Sequence, residues 1–480
     1  MTTAEQFDVL IREGVAPERA EEQLRLLKRG TKTIELASSA SIGNGLRKLE
    51  SAEALSYAEA YMSAKEGLKV MKFIPASGAA SRMFKDLLTE YNSGVSSDAS
   101  RKFKSRYSEL PMFHGMDKPQ DDEALFQLMF QTWRVQEWPK GTIPFHTYPE
   151  GDRTAFEEHL VEGIAYASSQ GMVHLHFTIA PEHLENIKAR MAHWALHYGK
   201  IHDVVFDVTF SSQDPLTDTF ALESNGDIAR KSDGSILWRP GGHGSLIHNL
   251  DTIDADIIFI KNVDNVAPDH LKDDTLLYKK ALAGLLLELR ERAREVRASL
   301  ISNPDEQNMT KARGLLADFG IDITPEKAVS LETLSRLLDR PFRVCGMVPN
   351  QGEPGGGPFW VQHSGYQTLQ IVESAQVDPE DPDQWRKLKG GTHFNPVDLV
   401  CFTKDLDGRT RSILEYRDTD TAFVTSKSYE GHSLTVLEWP GLWNGAMADW
   451  NTVFVEVPIS TFTPVKTIND LFRSSHSSKS

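Results

Sequence analysis

The sequence has little cysteine, no long apolar run and no excess of positive charge. Only two of its 480 residues are cysteines, Cys345 and Cys401, so a disulfide framework is not indicated and a reducing compartment is favoured. The apolar runs fall far short of the roughly 20 residues that cross a bilayer, and the first residues are acidic and amphipathic, unlike a signal peptide. We therefore predict a cytoplasmic protein with no membrane partner.

The net charge argues against a nucleic-acid partner. It is −16, with a pI near 5.5, so no overall positive field exists to hold a polyanion such as DNA or RNA. Any recognition of phosphate must therefore be local. The composition is otherwise that of an ordinary globular protein, with 40% apolar and 25% charged residues.

Several familiar catalytic motifs are absent as well. The chain has no Gly-x-Ser-x-Gly, no Walker A and no Gly-x-Gly-x-x-Gly with an acidic partner, so hydrolase, P-loop and dinucleotide-binding classes lose ground. The sixteen histidines are scattered without a coherent ligand set, and this disfavours a zinc site.

The patterning predicts an α/β protein with a mostly parallel sheet. Strand-like and helix-like segments alternate from about residue 68 to residue 300, which is typical of a sheet covered by helices. More strand-rich texture follows residue 341. We predict an N-terminal helical region over residues 1–66, a core over 67–340 with a helical insert at about 90–138, a smaller C-terminal α+β part over 341–471 and a flexible tail over 472–480.

The stretch PASGAASRMFK lies between a short apolar strand and a helix. Small residues at such a turn let backbone N–H groups approach a phosphate, and the following helix adds its positive end. Such turns also occur simply to close tightly, so this alternative stays open. The candidate residues are the small residues of the turn and the two cations after them: Ser77, Gly78, Ala79, Arg82 and Lys85.

Two further loops are rich in glycine. The stretch WRPGGHGSLIHNL places Gly241, Gly242, His243 and Gly244 before a helical run, either as a tight loop or as a loop against which a ligand lies. The stretch GEPGGGPFW is dense enough in glycine for an anion-binding loop or lid, and equally for a surface hairpin.

A carboxylate follows one of the most apolar strands. The stretch IFIKNVDN ends on Asp264 and Asn265, and the carboxyl ends of strands in open α/β sheets are where ligands bind. Mg²⁺ prefers one or two carboxylates together with phosphate oxygens. The alternative is that Asp264 only caps the turn.

The order of these pieces resembles that of the UDP-sugar pyrophosphorylases, especially the UDP-N-acetylhexosamine branch. Their loop LAGGxGTRL follows the first strand, as IPASGAASRM does here, with Arg82 on its arginine. Their Pro-Lys-Gly element is similar to the segment that contains Lys140. Their Pro-x-Gly-x-Gly-Gly loop and Val-Asp-Asn strand end are similar to RPGGHGSLIHNL and to the strand end at Asp264.

The resemblance continues into the C-terminal half and covers about residues 69–471. The family's Val-Val-Glu-Tyr-Ser-Glu looks like IVESAQ, which places Glu373 on its sugar-contacting glutamate. Its FNAGNI looks like FNPVDL, with Asn395 and Asp398 on the two asparagines. A late phosphate-binding lysine is matched loosely to Lys427, and the family's FSPLKN end resembles FTPVKTINDL.

The resemblance implies a Rossmann-like nucleotide-diphospho-sugar transferase fold of the GT-A type. It also implies a nucleotidyltransferase that joins a nucleoside triphosphate, with UTP favoured, to a sugar-1-phosphate or similar substrate and releases pyrophosphate. The implied roles are catalysis for Arg82 and Lys140, nucleotide binding for the two glycine-containing loops and Lys85, substrate binding for Asn265, Glu373, Asn395 and Lys427, and Mg²⁺ binding for Asp264 and Asp398.

Other functions remain open from the sequence. A metal-dependent glycosyltransferase of the GT-A type could use a similar sheet and strand-end carboxylate, and a non-catalytic nucleotide-binding protein could keep the same loops. The stretch PASGAASRMFK lacks the doubled glycines and the threonine of the family's loop, and an insert of about fifty residues separates Arg82 from Lys140. These departures put the base and the sugar in doubt. We expect a monomer or a small homo-oligomer.

Overall fold

A mixed β-sheet runs through the centre of the molecule, and helices pack against it. The computed structural model describes residues 2–324, 327–353 and 355–477. The mixed α/β class predicted from the sequence is confirmed. Among the helices of the described residues, none combines the length and apolar character that a bilayer crossing requires.

The described residues form thirteen α-helices. They are α1 Thr3–Arg12, α2 Pro17–Arg29, α3 Ser51–Ala64, α4 Lys85–Ser93, α5 Asp98–Arg106, α6 Asp122–Gln127, α7 Ala155–Tyr166, α8 Leu184–His202, α9 Leu246–Asp251, α10 Asp273–Ser302, α11 Glu306–Asp318, α12 Leu331–Leu338 and α13 Pro382–Lys389.

The same parts of the chain form twenty-one strands. They are β1 Leu36–Ser39, β2 Ser41–Ile42, β3 Gly45–Lys48, β4 Val70–Pro75, β5 Pro144–Tyr148, β6 Gly151–Thr154, β7 Ser168–Ser169, β8 Met172–Thr178, β9 Val205–Ser211, β10 Thr219–Phe220, β11 Leu222–Glu223, β12 Trp238–Arg239, β13 Ile257–Lys261, β14 Ile321–Ile323, β15 Phe342–Pro349, β16 Gly357–His363, β17 Tyr366–Val372, β18 His393–Phe402, β19 Phe423–Tyr429, β20 His432–Glu438 and β21 Asn451–Glu456.

The central sheet has ten strands, and its order brings the loops of interest to one edge. The order is β2-β3-β21-β15-β18-β13-β4-β8-β7, with β9 also paired to β8. Neighbours are parallel except around β18, which is antiparallel to β13 and β15, and at β7. The carboxyl ends of β4, β8, β9, β13 and β15 therefore share one edge with the amino end of β18.

The described residues also form four smaller sheets, two of which, β5 with β6 and β10 with β12, have only two strands. The strand pair β16 and β17 forms a four-stranded sheet with β1 and β14, while the hairpin of β19 and β20 pairs with β11. Helices α1 and α2 pack on this hairpin region through an apolar cluster that includes Leu10, Leu24, Phe220 and Leu437. The C-terminal part thus completes the central sheet through β15, β18 and β21 and also builds separate sheets beside it.

The structure differs from the expected organisation at both ends of the chain. Residues 36–48 form β1, β2 and β3, so the region before residue 67 is not wholly helical; the short alternation and the glycine turns there favour extended backbone. In the predicted tail, residues 474–476 form a 3₁₀ turn and His476 is buried. Residues 478–480 of that tail lie outside the described residues.

The predicted helical insert at about 90–138 is also less regular than expected. Helix α6 ends at Gln127, and a π-helical turn, Leu128–Trp133, follows it. This turn ends at Arg134, whose φ is +55°. The insert then returns to the sheet instead of continuing as a helix.

A network of buried charges lies beneath the central strands. The Nζ atoms of Lys72 on β4 and Lys261 on β13 lie 3.2 and 2.9 Å from the carboxylate of Glu162 on α7. Lys279 on α10 pairs with Asp398 on β18. All five side chains are almost wholly removed from water. Three lysines therefore face two carboxylates in the interior.

The excess of lysines over carboxylates in this network affects the protonation of Lys72. Burial lowers the pKa of Lys72 to about 7, with the nearby Lys261 adding to this effect and Glu162 opposing it. The ordinary lysine pKa is about 10.4. The folded protein thus binds fewer protons at this site than the unfolded chain between about pH 7 and pH 10, and stability from this group rises with pH over that interval.

We expect Lys72→Met and Glu162→Gln to have opposite effects on stability. Lys72→Met leaves two lysines against two carboxylates, so the thermal midpoint at pH 7 should be equal or higher and less dependent on pH between 7 and 10. Glu162→Gln leaves three lysines against one carboxylate and should cost roughly 3–5 kcal/mol. Thermal unfolding followed by circular dichroism across this pH range measures both. A loss in Lys72→Met as large as that in Glu162→Gln would contradict this account.

Candidate active site

The turn after β4 presents three backbone donors at the carboxyl edge of the sheet. Ser77, Gly78 and Ala79 are exposed, and within residues 2–324, 327–353 and 355–477 their N–H groups donate to no protein acceptor. The residue before them, Ala76, is fixed by donating to the backbone and side-chain oxygens of Thr178 at 3.1 and 3.2 Å. Consecutive free N–H groups of this kind are suited to an anion.

Lys140 lies beside this turn although the insert separates them in sequence. Its backbone N–H donates to the carbonyl of Gly78 at 3.2 Å, and the N–H of Ala80 donates to the carbonyl of Trp138 at 2.9 Å. Ala79 and Pro139 thereby form an antiparallel bridge. The structure therefore brings the predicted lysine to the predicted phosphate loop.

Asp264 completes this group from the next strand. It follows β13, and the N–H of Val263 donates to the carbonyl of Pro75 at 3.4 Å, which joins the turn after β13 to the end of β4. The carboxylate oxygen Oδ2 lies 2.6 Å from the Nζ of Lys140 and 3.1 Å from the Nζ of Lys466. One carboxylate is thus held between two ammonium groups.

The side chains of Lys140 and Lys466 differ in how far they are exposed to solvent. Burial alone would raise the pKa of Asp264, but the charges of Lys140 and Lys466 outweigh it and hold the pKa below its ordinary value. The Lys140 side chain is 15% exposed and that of Lys466 is 59% exposed. Lys140 is therefore built into the site, while Lys466 can leave Asp264 for a ligand.

Lys466 was not among the residues predicted from the sequence. The match of FTPVKTINDL to the family's FSPLKN end includes this lysine, but the resemblance predicts Lys427 as the late phosphate-binding residue. Lys427 instead lies on the β19–β20 hairpin and pairs with Glu438. The backbone explains the position of Lys466, because the N–H of Val465 donates to the carbonyl of Asp264 at 3.0 Å.

Other predicted residues near this edge differ in setting. Arg82 and Lys85 are exposed immediately after the turn, where they can meet an anion bound to it. Asn265 is buried, and its Oδ1 accepts from the N–H of Thr463 at 2.9 Å. Its side chain therefore anchors the C-terminal segment, which is a different role from the substrate binding predicted for it.

The glycine loop before α9 packs against the protein's own backbone. A Cβ at Gly241 would lie 2.5 Å from the carbonyl oxygen of Thr217, and one at Gly244 would lie 2.0 Å from that of Pro440. Glycine is therefore required at these two positions by close approach within the chain. Gly242 has a φ of +79° and lies next to the side chain of Glu438.

His243 is the exposed member of this loop. Its ring stacks on that of Trp443, with centroids 4.4 Å apart and an angle of 17°. The N–H of Leu442 donates to Nδ1 at 3.2 Å, so the neutral ring carries its proton on Nε2. Partial removal of the ring from water lowers the pKa of His243, and the negative charges of Glu373 and Glu438 oppose this effect.

Two further predicted residues, Glu373 and Asn395, are linked to His243 by contacts with residues around it. Oε1 of Glu373 accepts from the side-chain amide of Asn444 at 2.9 Å, next in sequence to Trp443. The N–H of Asn395 donates to the carbonyl of Gly356 at 2.9 Å, and a Cβ at Gly356 would lie 3.3 Å from the side chain of Glu373. His243, Glu373 and Asn395 thus belong to one region, which we call the second group.

Asp398 does not face this edge as a free ligand. Its carboxylate pairs with Lys279 in the buried network and is 4% exposed. Within the part of the chain that the structure describes, no three histidine, cysteine or acidic side chains form a group that could hold a metal ion. The Oδ1 atom of Asp264 is buried and has no hydrogen-bond partner among the described residues, so one oxygen of this carboxylate is not used within that part of the protein.

Comparisons with known proteins give a family and a fold. A model of the family described as a domain of unknown function (DUF4301) matches residues 3–477. No curated protein matches the chain by sequence.

The similar solved structures are sugar-nucleotide enzymes at low identity. The uridine diphosphate N-acetylglucosamine pyrophosphorylase from Trypanosoma brucei, in complex with an inhibitor, is 12% identical with a TM-score of 0.50, and the match covers 99% of this chain and 77% of that one. A mutant UDP-glucose pyrophosphorylase from Leishmania major is 11% identical with a TM-score of 0.47, covering 98% and 78%. At 12% identity, the likeness to the enzyme from Trypanosoma brucei concerns the fold alone.

We expect Gly244→Ala to destabilise the protein and Gly314→Ala to stabilise it slightly. The added methyl group at position 244 meets the carbonyl of Pro440 and should cost about 1–3 kcal/mol. Gly314 lies in α11 with open space around it, where alanine should add about 0.5–1 kcal/mol. Thermal unfolding compares the two. An unchanged midpoint for Gly244→Ala would show that the backbone contact is not a constraint.

Proposed function

The chain belongs to the family described as a domain of unknown function (DUF4301), and we propose that it is a nucleotidyltransferase that makes a nucleotide-sugar. It joins a nucleoside triphosphate, with UTP favoured, to a sugar-1-phosphate or similar phosphorylated substrate. A phosphate oxygen of the second substrate bonds to the α-phosphorus, the bond from that phosphorus to the β-phosphate breaks, and pyrophosphate leaves.

One observation carries this proposal. Asp264 lies between Lys140 and Lys466 at the sheet edge, and Lys140 is hydrogen-bonded to the turn that exposes three free N–H groups. Two cations and a row of amide donors at one place are suited to a chain of phosphates. A substrate with a single neutral group would leave these charges unused.

The barrier in this reaction is the meeting of two anions. Positioning and charge neutralisation provide most of the catalysis in such transfers, so no protein nucleophile is needed. The N–H groups of residues 77–79 bind the triphosphate, with Arg82 and Lys85 beside them. As phosphates enter, Lys466 exchanges the carboxylate of Asp264 for phosphate oxygens, while Lys140 stays beside Asp264 and adds its positive charge to neutralise the charge that develops.

Asp264 also gives the site a place for Mg²⁺. Its Oδ1 has no hydrogen-bond partner within residues 2–324, 327–353 and 355–477. Hard divalent cations take one or two carboxylates and complete their shell with water and substrate phosphates. A bound Mg²⁺ would supply further neutralisation of phosphate charge. Asp398 is taken by Lys279 and is not part of this proposed site.

The second group is the candidate region for the base or the sugar. His243 offers an Nε2–H donor and a stacked aromatic surface, and Glu373 adds a carboxylate close by. Asn395 lies in the same region but is buried, and its Oδ1 accepts from the N–H of Val397 at 3.1 Å. The fold likeness to the enzyme from Trypanosoma brucei supports the proposed reaction class at the level of the fold. We further propose that the central sheet is of the GT-A type.

We expect Asp264→Asn and Lys140→Ala each to lower turnover by roughly 10²–10³-fold, because each removes preorganised charge from the transition state. The measurement is pyrophosphate release with UTP, Mg²⁺ and a panel of sugar-1-phosphates. A matched control is Lys69→Ala, which removes a lysine 3.3 Å from Asp254 at the start of β4, on the opposite edge of the sheet. Unchanged pyrophosphate release by both site variants would refute the assignment.

We expect one nucleoside triphosphate to stabilise the protein more than the others. In the presence of Mg²⁺, a ligand at 100 times its Kd should add about 2.7 kcal/mol to the stability. A thermal-shift screen of UTP, CTP, ATP and GTP, followed by a pyrophosphate assay, measures both binding and turnover. Turnover of a nucleotide-sugar donor with an acceptor, without pyrophosphate, would indicate a glycosyltransferase instead, and binding without turnover would indicate a non-catalytic protein.

A further inference from the structure

The last described segment of the chain lies across the candidate site. Residues 463–477, which we call the C-terminal strap, follow β21 and carry Lys466 to Asp264. Sequence patterning predicted a flexible tail from residue 472, yet the strap is held at several places along its length. Its attachments therefore decide where Lys466 lies.

The strap begins on the turn that carries Asp264. The N–H of Thr463 donates to Oδ1 of Asn265 at 2.9 Å, and Pro464 bridges Asn265. The N–H of Val465 donates to the carbonyl of Asp264 at 3.0 Å. These contacts fix the backbone just before Lys466.

The strap then crosses to the segments that follow the phosphate loop. The carboxylate of Asp470 accepts from the N–H groups of Lys466 and Thr467 at 2.8 and 2.7 Å, which closes a tight turn. The N–H of Ile468 donates to the carbonyl of Met83 at 3.1 Å, and the amide of Asn469 donates to the carbonyl of Ala99 at 2.8 Å. The strap thus links the two sides of the site.

Its far end is held by a buried histidine pair. Nδ1 of His476 lies 2.9 Å from Nε2 of His146, and the two ring planes are within 14° of each other. His146 in turn lies 2.9 Å from the carboxylate of Glu158, which also pairs with Lys272 at 2.6 Å. His476 is 4% exposed, so the pair is closed off from water.

The histidine pair is not explained by the chemistry of the site. Burial lowers the pKa of His476 to about 3, with His146 and Arg473 contributing, so its ring is neutral at ordinary pH. The two facing nitrogens then share one proton, and the hydrogen bond depends on both rings. No substrate group needs to reach this buried position.

We propose that His476 is a positioning residue that acts through Lys466, by fixing the end of the C-terminal strap on His146. This inference rests on the proposed function, because Lys466 is taken to meet a phosphate. Lys466 is more than half exposed and has a long, flexible side chain, so its place is set mainly by the backbone that carries it. Releasing the strap end widens the range of positions that its ammonium group samples.

The test is a double-mutant cycle read by affinity for inorganic pyrophosphate. Isothermal titration of the full chain with pyrophosphate and Mg²⁺ gives Kd for wild type, His476→Ala, Lys466→Ala and the double variant. We expect each single change to raise Kd about tenfold, the scale of one lost charge-assisted hydrogen bond. The double variant should bind no more weakly than Lys466→Ala alone, since the effects of two residues that act one through the other are not additive.

Two controls separate positioning from general damage. His476→Asn keeps a donor and an acceptor for His146 and should restore most of the affinity. His174→Ala removes a histidine that pairs with Asp207 near the amino ends of β8 and β9, away from the carboxyl edge that carries the site, and should leave Kd unchanged. In a pyrophosphate-release assay, His476→Ala should raise KM for the nucleotide more than it lowers kcat, whereas a loss of folded protein would lower the apparent kcat alone.

Hydrogen exchange distinguishes failure of this inference from failure of the proposed function. Backbone amides of residues 463–477 should exchange faster in His476→Ala than in wild type, without any ligand. Unchanged exchange, or a cycle in which the two effects add fully, would overturn the positioning role. If wild type neither binds pyrophosphate nor releases it, the inference falls with the proposed function, and faster exchange in the variant would then locate the error in the function rather than in the strap.

Discussion

The pairing of Asp264 with Lys140 and Lys466 is the interaction on which the candidate site depends. It joins the turn after β13, the end of the insert and the strap near the C-terminus, three segments far apart in sequence. A buried carboxylate is stable only when paired, so the two lysines are held where a phosphate would also bind. In the proposed function, the same charges that hold the Asp264 turn in place are the ones that receive the phosphates.

The sheet beneath the site provides its rigidity. Parallel strands place their carboxyl ends at one edge, and the buried network ties β4, β13 and β18 to α7 and α10. From α7, Nε2 of His159 lies 3.2 Å from the carbonyl of Val263, the residue before Asp264. The turn that carries the carboxylate is thus supported from the sheet and from the helix layer, while the strap supports it from outside.

The glycine loop shows how one sequence feature can serve two purposes. A bare backbone suits both a ligand and a neighbouring strand, and in this loop Gly241 and Gly244 contact Thr217 and Pro440 of the same chain. That packing leaves the backbone of these two glycines less free for a ligand. The exposed His243, stacked on Trp443, becomes the residue of the loop that can meet a substrate.

The α/β class, the strand-end position of Asp264 and the candidate phosphate loop could all be predicted from the sequence, because they follow from local periodicity and turn chemistry. The contacts of Asp264 with Lys140 and Lys466 required the folded chain, since no local pattern reports contacts across 124 and 202 residues. The same reason explains why Asp398 pairs with Lys279 and why His476 is buried. Apolar patterning specifies which residues leave water, but only the folded chain specifies which charged groups then have to meet.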